Sequence, residues 1–450
     1  MQQIDLIGRR LRCGGHRPRS VLARATAIVV GLGLGFDTAP SAIGAPPAPD
    51  RPWADARSGS YRGLLVTGDL DPVLVRAIAD RILEVHAQAD AILGPLEPRG
   101  PIELEVLLFA ERRDFVEVLR LERGIVAPTG PVTVFPTRTG TALAAAVPAE
   151  PGQAFFEALR AGALRHWAEG RFGTDLSGWV DEGLATWFGR ALAIGDRTVP
   201  GLCDRTGLVA LQEAILADTT IPFDEYLALA PGEPAVRRTV SEEIRLEQAW
   251  SMIDWMLSDP GRREAFRRYL RLMNGGYREP EARRRAFAGE AWELPAPMET
   301  SWLSFVTDRR PSGVLDAHDR LVLFAEGQRM LAADGLAAPD LDALRGALDA
   351  AGFVHEIERF GRTRRLDAAD PTWLEMPPGD PSVRRSSFEA APSRDLERAV
   401  QRGEYPQDAP RPLEIATKDL RGGLGDAVVE LRIRWIALED GTLGYLIEPR

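Results

Sequence analysis

The feature that most constrains the fold is a helical pattern in the middle of the chain, from Gly152 almost to residue 310. Apolar side chains recur there at helical spacing, and short loops with Pro and Gly separate the segments. We predict helices near the following ranges: 153–168, 181–193, 206–217, 241–258, 261–273 and 299–308. This stretch is therefore expected to be mostly α-helical.

The preceding segment alternates between strand and helix signals. Leu64–Thr67 and Ile102–Phe109 read as strands, the second because its apolar residues alternate along the run. Asp71 and Pro72 mark the start of a helix between these strands, and another helix is expected near 111–121. Two short β runs around residues 137–140 predict a hairpin. The N-terminal part is thus a small β/α unit with a hairpin.

The end of the chain has a different composition. Residues 366–412 are rich in Pro, Asp, Arg and Ser and are expected to be a loop-rich connection. The last residues alternate apolar and charged side chains around Asp440-Gly441, which predicts a β-hairpin. We therefore expect an α+β fold, with one domain over 61–310 and a small C-terminal α+β region over 311–450.

The N-terminus resembles a targeting signal. Several Arg residues precede an uncharged run of 12 residues, Ala25–Phe36, which is too short to span a bilayer. Small residues follow, so we expect a signal peptide over 1–45, cleaved near Ala42–Ala45, and a linker over 46–60. The predicted location is the periplasm or the extracellular space. An uncleaved anchor or an incorrect start codon is the alternative.

The charge of the chain argues against a nucleic-acid partner, and its hydropathy argues against a transmembrane helix after the first 45 residues. The formal net charge is −11 and no basic stripe follows the first 45 residues, which argues against nucleic acid as the main partner. No later apolar run approaches the roughly 18 residues of a transmembrane helix.

Cleavage of the signal would leave Cys203 as the only cysteine, so no internal disulfide is expected. This thiol is predicted to be buried and inert.

One motif is specific enough to indicate a family. Residues 179–188 read WVDEGLATWF, and a helical segment with His166 lies just upstream. Over residues 60–308 the chain resembles the peptidase MA-like domain of the gluzincin metallopeptidases. The family's Trp-x-x-Glu-Gly-Leu-Ala segment is matched by the following residues: Trp179, Glu182, Gly183, Leu184 and Ala185. The other segments follow in the family's order.

The resemblance implies a zinc site, of which only part is present. The family carries His-Glu-x-x-His, where both His bind Zn²⁺ and the Glu is the general base, and a third ligand comes from the next helix. With His166 as the second His, 15 residues separate it from Glu182, which suits the family. The first His then falls at Gly162 and the base at Ala163, so GALRH replaces the motif. The other register, with His166 first, leaves too short a run to Glu182.

The residues leave several interpretations open. His166 and Glu182 are the vestigial ligands, and Glu169 is an alternative ligand because it lies on the same helix side as His166. His166 also fits a helix residue hydrogen-bonded to Glu182 or to a backbone carbonyl. Asp181 and Glu182 equally suit a helix N-terminus, where the helix dipole favours acidic residues.

Three functions follow from these interpretations. The first is an exported, inactive peptidase homologue that binds a peptide or protein in the remnant cleft, with no cofactor and no catalytic residue. The second is an active zinc metallopeptidase with non-standard ligands (His166, Glu169 and Glu182). The third is a scaffold for a structural role of the C-terminal region.

Overall fold

The structure is a computed structural model, and it describes the following residues: 56–99, 103–125, 130–138, 140–149, 151–173, 176–194, 197–229, 240–370, 388–417, 430–438 and 442–449. Helices and mixed sheets make up these residues, which confirms the predicted α+β class. The predicted signal peptide and the Asp440-Gly441 turn lie outside them. No described helix is both long enough and apolar enough to cross a bilayer.

The described residues form two compact units. The larger unit contains residues 56–191 and 203–310, and the smaller unit contains residues 192–202 and 311–449. Residues 192–193, which were expected to end a helix, instead begin a two-stranded hairpin formed by β6 (Leu192–Ile194) and β7 (Arg197–Val199). Leu192 and Ile194 are buried in the core of the smaller unit, and this burial explains why the segment leaves the helix.

A five-stranded mixed sheet opens the larger unit, in the order β1-β2-β3-β5-β4. The strands are β1 (Arg57–Tyr61), β2 (Leu64–Gly68), β3 (Glu103–Phe109), β4 (Val132–Pro136) and β5 (Gly140–Ala146). The three central strands are parallel, and the outer two are antiparallel to their neighbours. β4 and β5 form the predicted hairpin. β1 begins within the segment 46–60 that was expected to be a linker.

Helices cover both faces of this sheet. They are α1 (Pro72–Leu93), α2 (Arg112–Arg123) and α3 (Gln153–Phe172). On one face Phe115 of α2 packs against Phe109, in a core that also contains Ala142. Successive side chains of a strand point to opposite faces, so Leu143 lies on the other face, where it approaches Gly162 of α3.

The rest of the larger unit is helical, as expected. Its helices are α4 (Gly178–Gly189), α5 (Arg205–Leu216), α6 (Phe223–Tyr226), α7 (Glu242–Ser258), α8 (Pro260–Asn274), α9 (Glu279–Ala286) and α10 (Pro295–Asp308). Helix α7 is buried along most of its length and packs against α4, α5, α8 and α10. Helix α10 begins four residues before its predicted start, because a helix tolerates Pro in its first turn.

The smaller unit combines helices with a four-stranded antiparallel sheet in the order β10-β11-β12-β13. Its further elements are α11 (Gly313–Ala333), α12 (Leu341–Ala350), β8 (Val354–Arg359), β9 (Arg362–Asp367), β10 (Phe388–Pro392), α13 (Arg394–Gln401), β11 (Leu413–Thr417), β12 (Leu431–Ala437) and β13 (Leu443–Pro449). The predicted C-terminal hairpin is β12–β13.

The stretch 366–412, which was expected to be rich in loops, also contains regular secondary structure. It contains β10 and α13, while residues 371–387 lie outside the description. Ser393 caps α13, and Leu396 and Ala399 are buried at helical spacing. Charged residues dominate the composition here, and they obscured a short amphipathic helix.

Candidate functional site

Helices α3 and α4 carry the two halves of the predicted motif, and they pack closely. A Cβ atom on Gly189 of α4 would lie 3.2 Å from the Cβ of Ala161 on α3. One turn further along α3, Arg165 Nε donates to Asp181 Oδ2 of α4 at 3.2 Å. The face of α3 that meets α4 is therefore the one that carries Ala161 and Arg165.

His166 lies on a different face of α3, against the sheet. It shares this face with Gly162, one turn earlier, where an added Cβ would come within 2.5 Å of Val132 Cγ1. His166 is fully buried, and its Nε2 lies 3.3 Å from the carbonyl oxygen of Thr141. Since a carbonyl oxygen only accepts, Nε2 is the donor. The structure thus agrees with one interpretation left open by the sequence, a helix histidine bonded to a backbone carbonyl.

A second buried histidine lies beside it. The ring centroids of His86 and His166 are 5.4 Å apart, and His86 Nε2 donates to the carbonyl of Ala163 at 3.1 Å. Burial lowers the pKa of His86 to about 3, with smaller contributions from His166 and Arg171, and burial lowers the pKa of His166 to about 4. Both imidazoles are therefore neutral at pH 7.

Glu182, the predicted third ligand, is engaged by other residues. Arg245 of α7 donates from Nη1 to Glu182 Oε1 at 2.6 Å, and the Tyr226 hydroxyl lies 3.4 Å from Oε2. Burial raises the pKa of Glu182, and the charge of Arg245 opposes this effect. The carboxylate is thus held as half of an ion pair with α7.

Glu169, the alternative ligand, lies on the α4 side of α3. It follows Arg165 by one turn, and its pKa is raised by partial burial and by the neighbouring carboxylate of Asp181. Two acidic groups and one Arg therefore meet where α3 approaches α4. His166 points away from this group, toward the sheet.

The predicted zinc ligands do not fit a metal ion in this arrangement. In the part of the chain that the structure describes, no three His, Cys, Asp or Glu side chains form a group that could hold a metal. His166, Glu169 and Glu182 are all described, so they are not brought together as a ligand set. A catalytic zinc site needs three protein ligands, and the position predicted for the base is Ala163, which is buried.

Sequence reasoning missed three residues that define this region: His86, Tyr226 and Arg245. His86 is 80 positions from His166 along the chain, and only the packing of α1 on α3 brings the rings together. Arg245 lies 63 positions after Glu182, and only the packing of α7 on α4 brings the two side chains together. Tyr226 lies on the short helix α6, which the sequence pattern did not predict.

Cys203 has the predicted environment. It is a free thiol with 1% of its surface exposed, and burial raises its pKa. Its surroundings include Arg309, which lies 2.9 Å from the buried carboxylate of Asp254. The thiol is therefore protonated and is not an activated nucleophile.

Comparison with protein-family models and with curated proteins finds no match to this chain. The resemblance to gluzincin peptidases therefore depends on the residues of α3 and α4 and on the order of the elements.

Proposed function

We propose that the protein is an exported, catalytically inactive relative of the gluzincin peptidases that binds an extended peptide or protein segment. The observation that carries this proposal is the ion pair between Glu182 and Arg245. A zinc ligand has to offer its lone pairs to the metal, and the partly buried guanidinium of Arg245 at 2.6 Å competes directly for them.

The α3 residues support the same conclusion in either register. In the register set by the sequence, Gly162 and Ala163 replace the first His and the base. In the register set by contact with α4, Ala161 and Arg165 occupy the two ligand positions, and Arg165 binds Asp181. Neither register supplies two imidazoles and a general base, so zinc-water chemistry has no support from these side chains.

The edge strand β4 is the element best suited to bind a peptide. Thr137 N donates to Gly140 O, and Ala146 N donates to Pro131 O, so odd-numbered β4 residues face β5. The backbone groups of Val132, Val134 and Pro136 then point away from β5. Among the described residues, β5 is the only strand that pairs with β4, so the outward backbone groups of β4 are available to an added strand.

Peptide binding can be tested at Val134, whose N–H points outward. We expect Val134→Pro to weaken binding to an array of extended decapeptides about tenfold or more, because an outward donor is lost and the ring obstructs the edge. Val134→Ala is the matched control, since it shortens the same side chain and keeps the N–H. Equal loss in both variants, or no saturable binding by the natural protein, would reject the edge-strand mode.

Metal analysis and a peptidase assay test the loss of catalysis. We expect purified protein to carry zinc far below one equivalent and to leave casein uncleaved. Chelator-sensitive cleavage that disappears in Glu182→Ala or Glu169→Ala would instead support the active peptidase with non-standard ligands. Export is tested separately, by mass spectrometry of the mature N-terminus, which we expect between about residues 43 and 46.

A further inference from the structure

A second candidate site lies on the larger unit, among helices α7, α8 and α10. It is a concavity of about 740 Å³, lined by Trp255, Arg262, Ala291, Pro297, Thr300, Ser301, Ser304 and Phe305. The concavity is shallow and open to solvent over much of its extent. None of the lining residues belongs to α3, α4 or β4, so the concavity is separate from the proposed peptide site.

The guanidinium of Arg262 is held in place at this concavity. Its Nε donates to the carbonyl of Trp255 at 2.8 Å, and its Nη2 donates to Ser258 Oγ at 3.2 Å. The guanidinium also lies over the Trp255 ring, 5.2 Å from the centroid. Among the described residues Nη1 has no partner. A fixed guanidinium with an open N–H edge binds anions well, because little side-chain entropy is lost on binding.

Two hydroxyls on α10 add further donors. Ser301 and Ser304 lie three residues apart on the same side of the helix, and neither hydroxyl has a hydrogen-bond partner within the described chain. Thr300 differs, because its hydroxyl donates to the carbonyl of Ala296 at 3.0 Å. Phe305 and Pro297 supply apolar surface beside these donors.

The charge of the lining favours an anion. Its single charged side chain is a cation, although the protein as a whole carries a net charge of −11. The nearest carboxylate on the same helix end, Asp259, caps α8 by accepting from the Arg262 backbone N–H at 2.9 Å. The charge of Asp259 also acts on the Arg262 guanidinium, and Nη1 is the part of that group left for a bound anion.

We propose that this concavity binds a small organic anion. Its carboxylate or phosphate group pairs with Arg262 Nη1 and the hydroxyls of Ser301 and Ser304, and its apolar part lies against Phe305 and Pro297. The two anionic groups share this chemistry, and different probes distinguish them.

Calorimetric titration with benzoate, phenyl phosphate and the neutral benzamide tests the proposal on the full-length protein. We expect saturable binding of at least one anion and at least tenfold weaker binding of benzamide, since hydrogen bonds to a charged group are the stronger ones. The tighter of the two anions identifies the preferred group. Benzamide binding equal to that of the anions, or no saturable binding of either anion, overturns the proposal.

Variants locate the site. Arg262→Gln should weaken anion binding about tenfold or more. Arg263→Gln is the matched control, because Arg263 donates to the carbonyl of Leu257 at the same helix end but does not line the concavity.

Ser304→Glu is a second test, and it does not depend on the packing role of Arg262. Glu at this exposed position would place a carboxylate in the concavity and should abolish anion binding. Unchanged binding in Ser304→Glu, or equal losses in the two Arg variants, overturns the assignment.

Discussion

At the scale of single residues, Gly162 decides how α3 meets the sheet. An added Cβ would lie 2.5 Å from Val132 Cγ1, far inside ordinary contact distance. The closeness of β4 to α3 thus depends on the absence of a side chain. From the sequence, Gly162 was notable only because it stands where the gluzincin motif has its first His.

We expect Gly162→Ala to lower the free energy of unfolding by about 1–3 kcal/mol, as overpacking does. This loss would occur although Ala is the better helix former by about 1 kcal/mol. Urea denaturation at pH 7 measures it. Val132→Ala is the matched partner: combined with Gly162→Ala it should recover part of the loss, and purely additive effects would show that the two positions do not collide.

The same contact between Gly162 and Val132 works against restoring the zinc motif by substitution. Gly162→His with Ala163→Glu rebuilds His-Glu-x-x-His in the sequence, but position 162 faces Val132 and not α4. The double variant is therefore predicted to be destabilised and to gain no tight zinc site.

The buried histidine pair predicts acid sensitivity. The folded-state pKa values of His86 and His166, about 3 and about 4, lie below the unfolded value near 6.5, so the unfolded chain binds more protons below pH 6.5. The stabilising effect of the neutral pair is complete above pH 6.5 and is lost as the pH falls toward 4 and then 3. Each imidazole lowers the free energy of unfolding by at most about 1.4 kcal/mol for each pH unit that the pH falls.

Urea denaturation between pH 7 and pH 4.5 measures this slope. The variant His86→Gln with His166→Gln should show a shallower slope, because carboxylate titration is common to both proteins and cancels in the comparison. Parallel pH profiles would mean that the two imidazoles do not control acid stability.

At the scale of elements, the contact between α4 and α7 depends on Gly183. A Cβ there would meet the carbonyl oxygen of Ala249 and Ile253 Cγ1, both at 2.6 Å. We predict that Gly183→Ala destabilises the protein by about 1–3 kcal/mol or more, because a backbone oxygen cannot rotate out of the way. Thermal unfolding measures the effect as a lower melting temperature of the Gly183→Ala variant.

Gly189→Ala is the control for that change on the same helix. The nearest atoms to a Cβ added at Gly189 lie 3.2 Å away, so we expect the free energy of unfolding to stay within about 1 kcal/mol of that of the natural protein. If both variants lose equal stability, a general intolerance of α4 to Ala, and not the approach of α7, would be responsible.

At the scale of the whole molecule, residues 192–202 do not belong to the unit that surrounds them in sequence. Leu192, Ile194 and Leu202 are buried in the core of the smaller unit. We therefore predict that a fragment of residues 56–310 exposes these three side chains and aggregates. Size-exclusion chromatography with a hydrophobic dye measures the effect.

Replacing 192–202 in that fragment by a polar linker of equal length should restore a soluble monomer. If the unaltered fragment is equally soluble and binds no dye, the assignment of this segment to the smaller unit would be wrong.

Much of the fold was determined by local sequence signals. Helices α5, α7 and α8 lie within one residue of their predicted bounds, because apolar periodicity and caps such as Ser241 act over a few residues. The β4–β5 and β12–β13 hairpins follow from alternation and turn residues for the same reason.

Only the tertiary structure decided how the candidate site is arranged. The sequence placed His166 and Glu182 at a family-like spacing, but which face of α3 carries His166 depends on how α3 packs against the sheet and α4. The Arg245 that neutralises Glu182 comes from a helix more than 60 residues away. Such long-range pairs leave no periodic trace in a single sequence, because they depend on packing between elements and not on spacing within one.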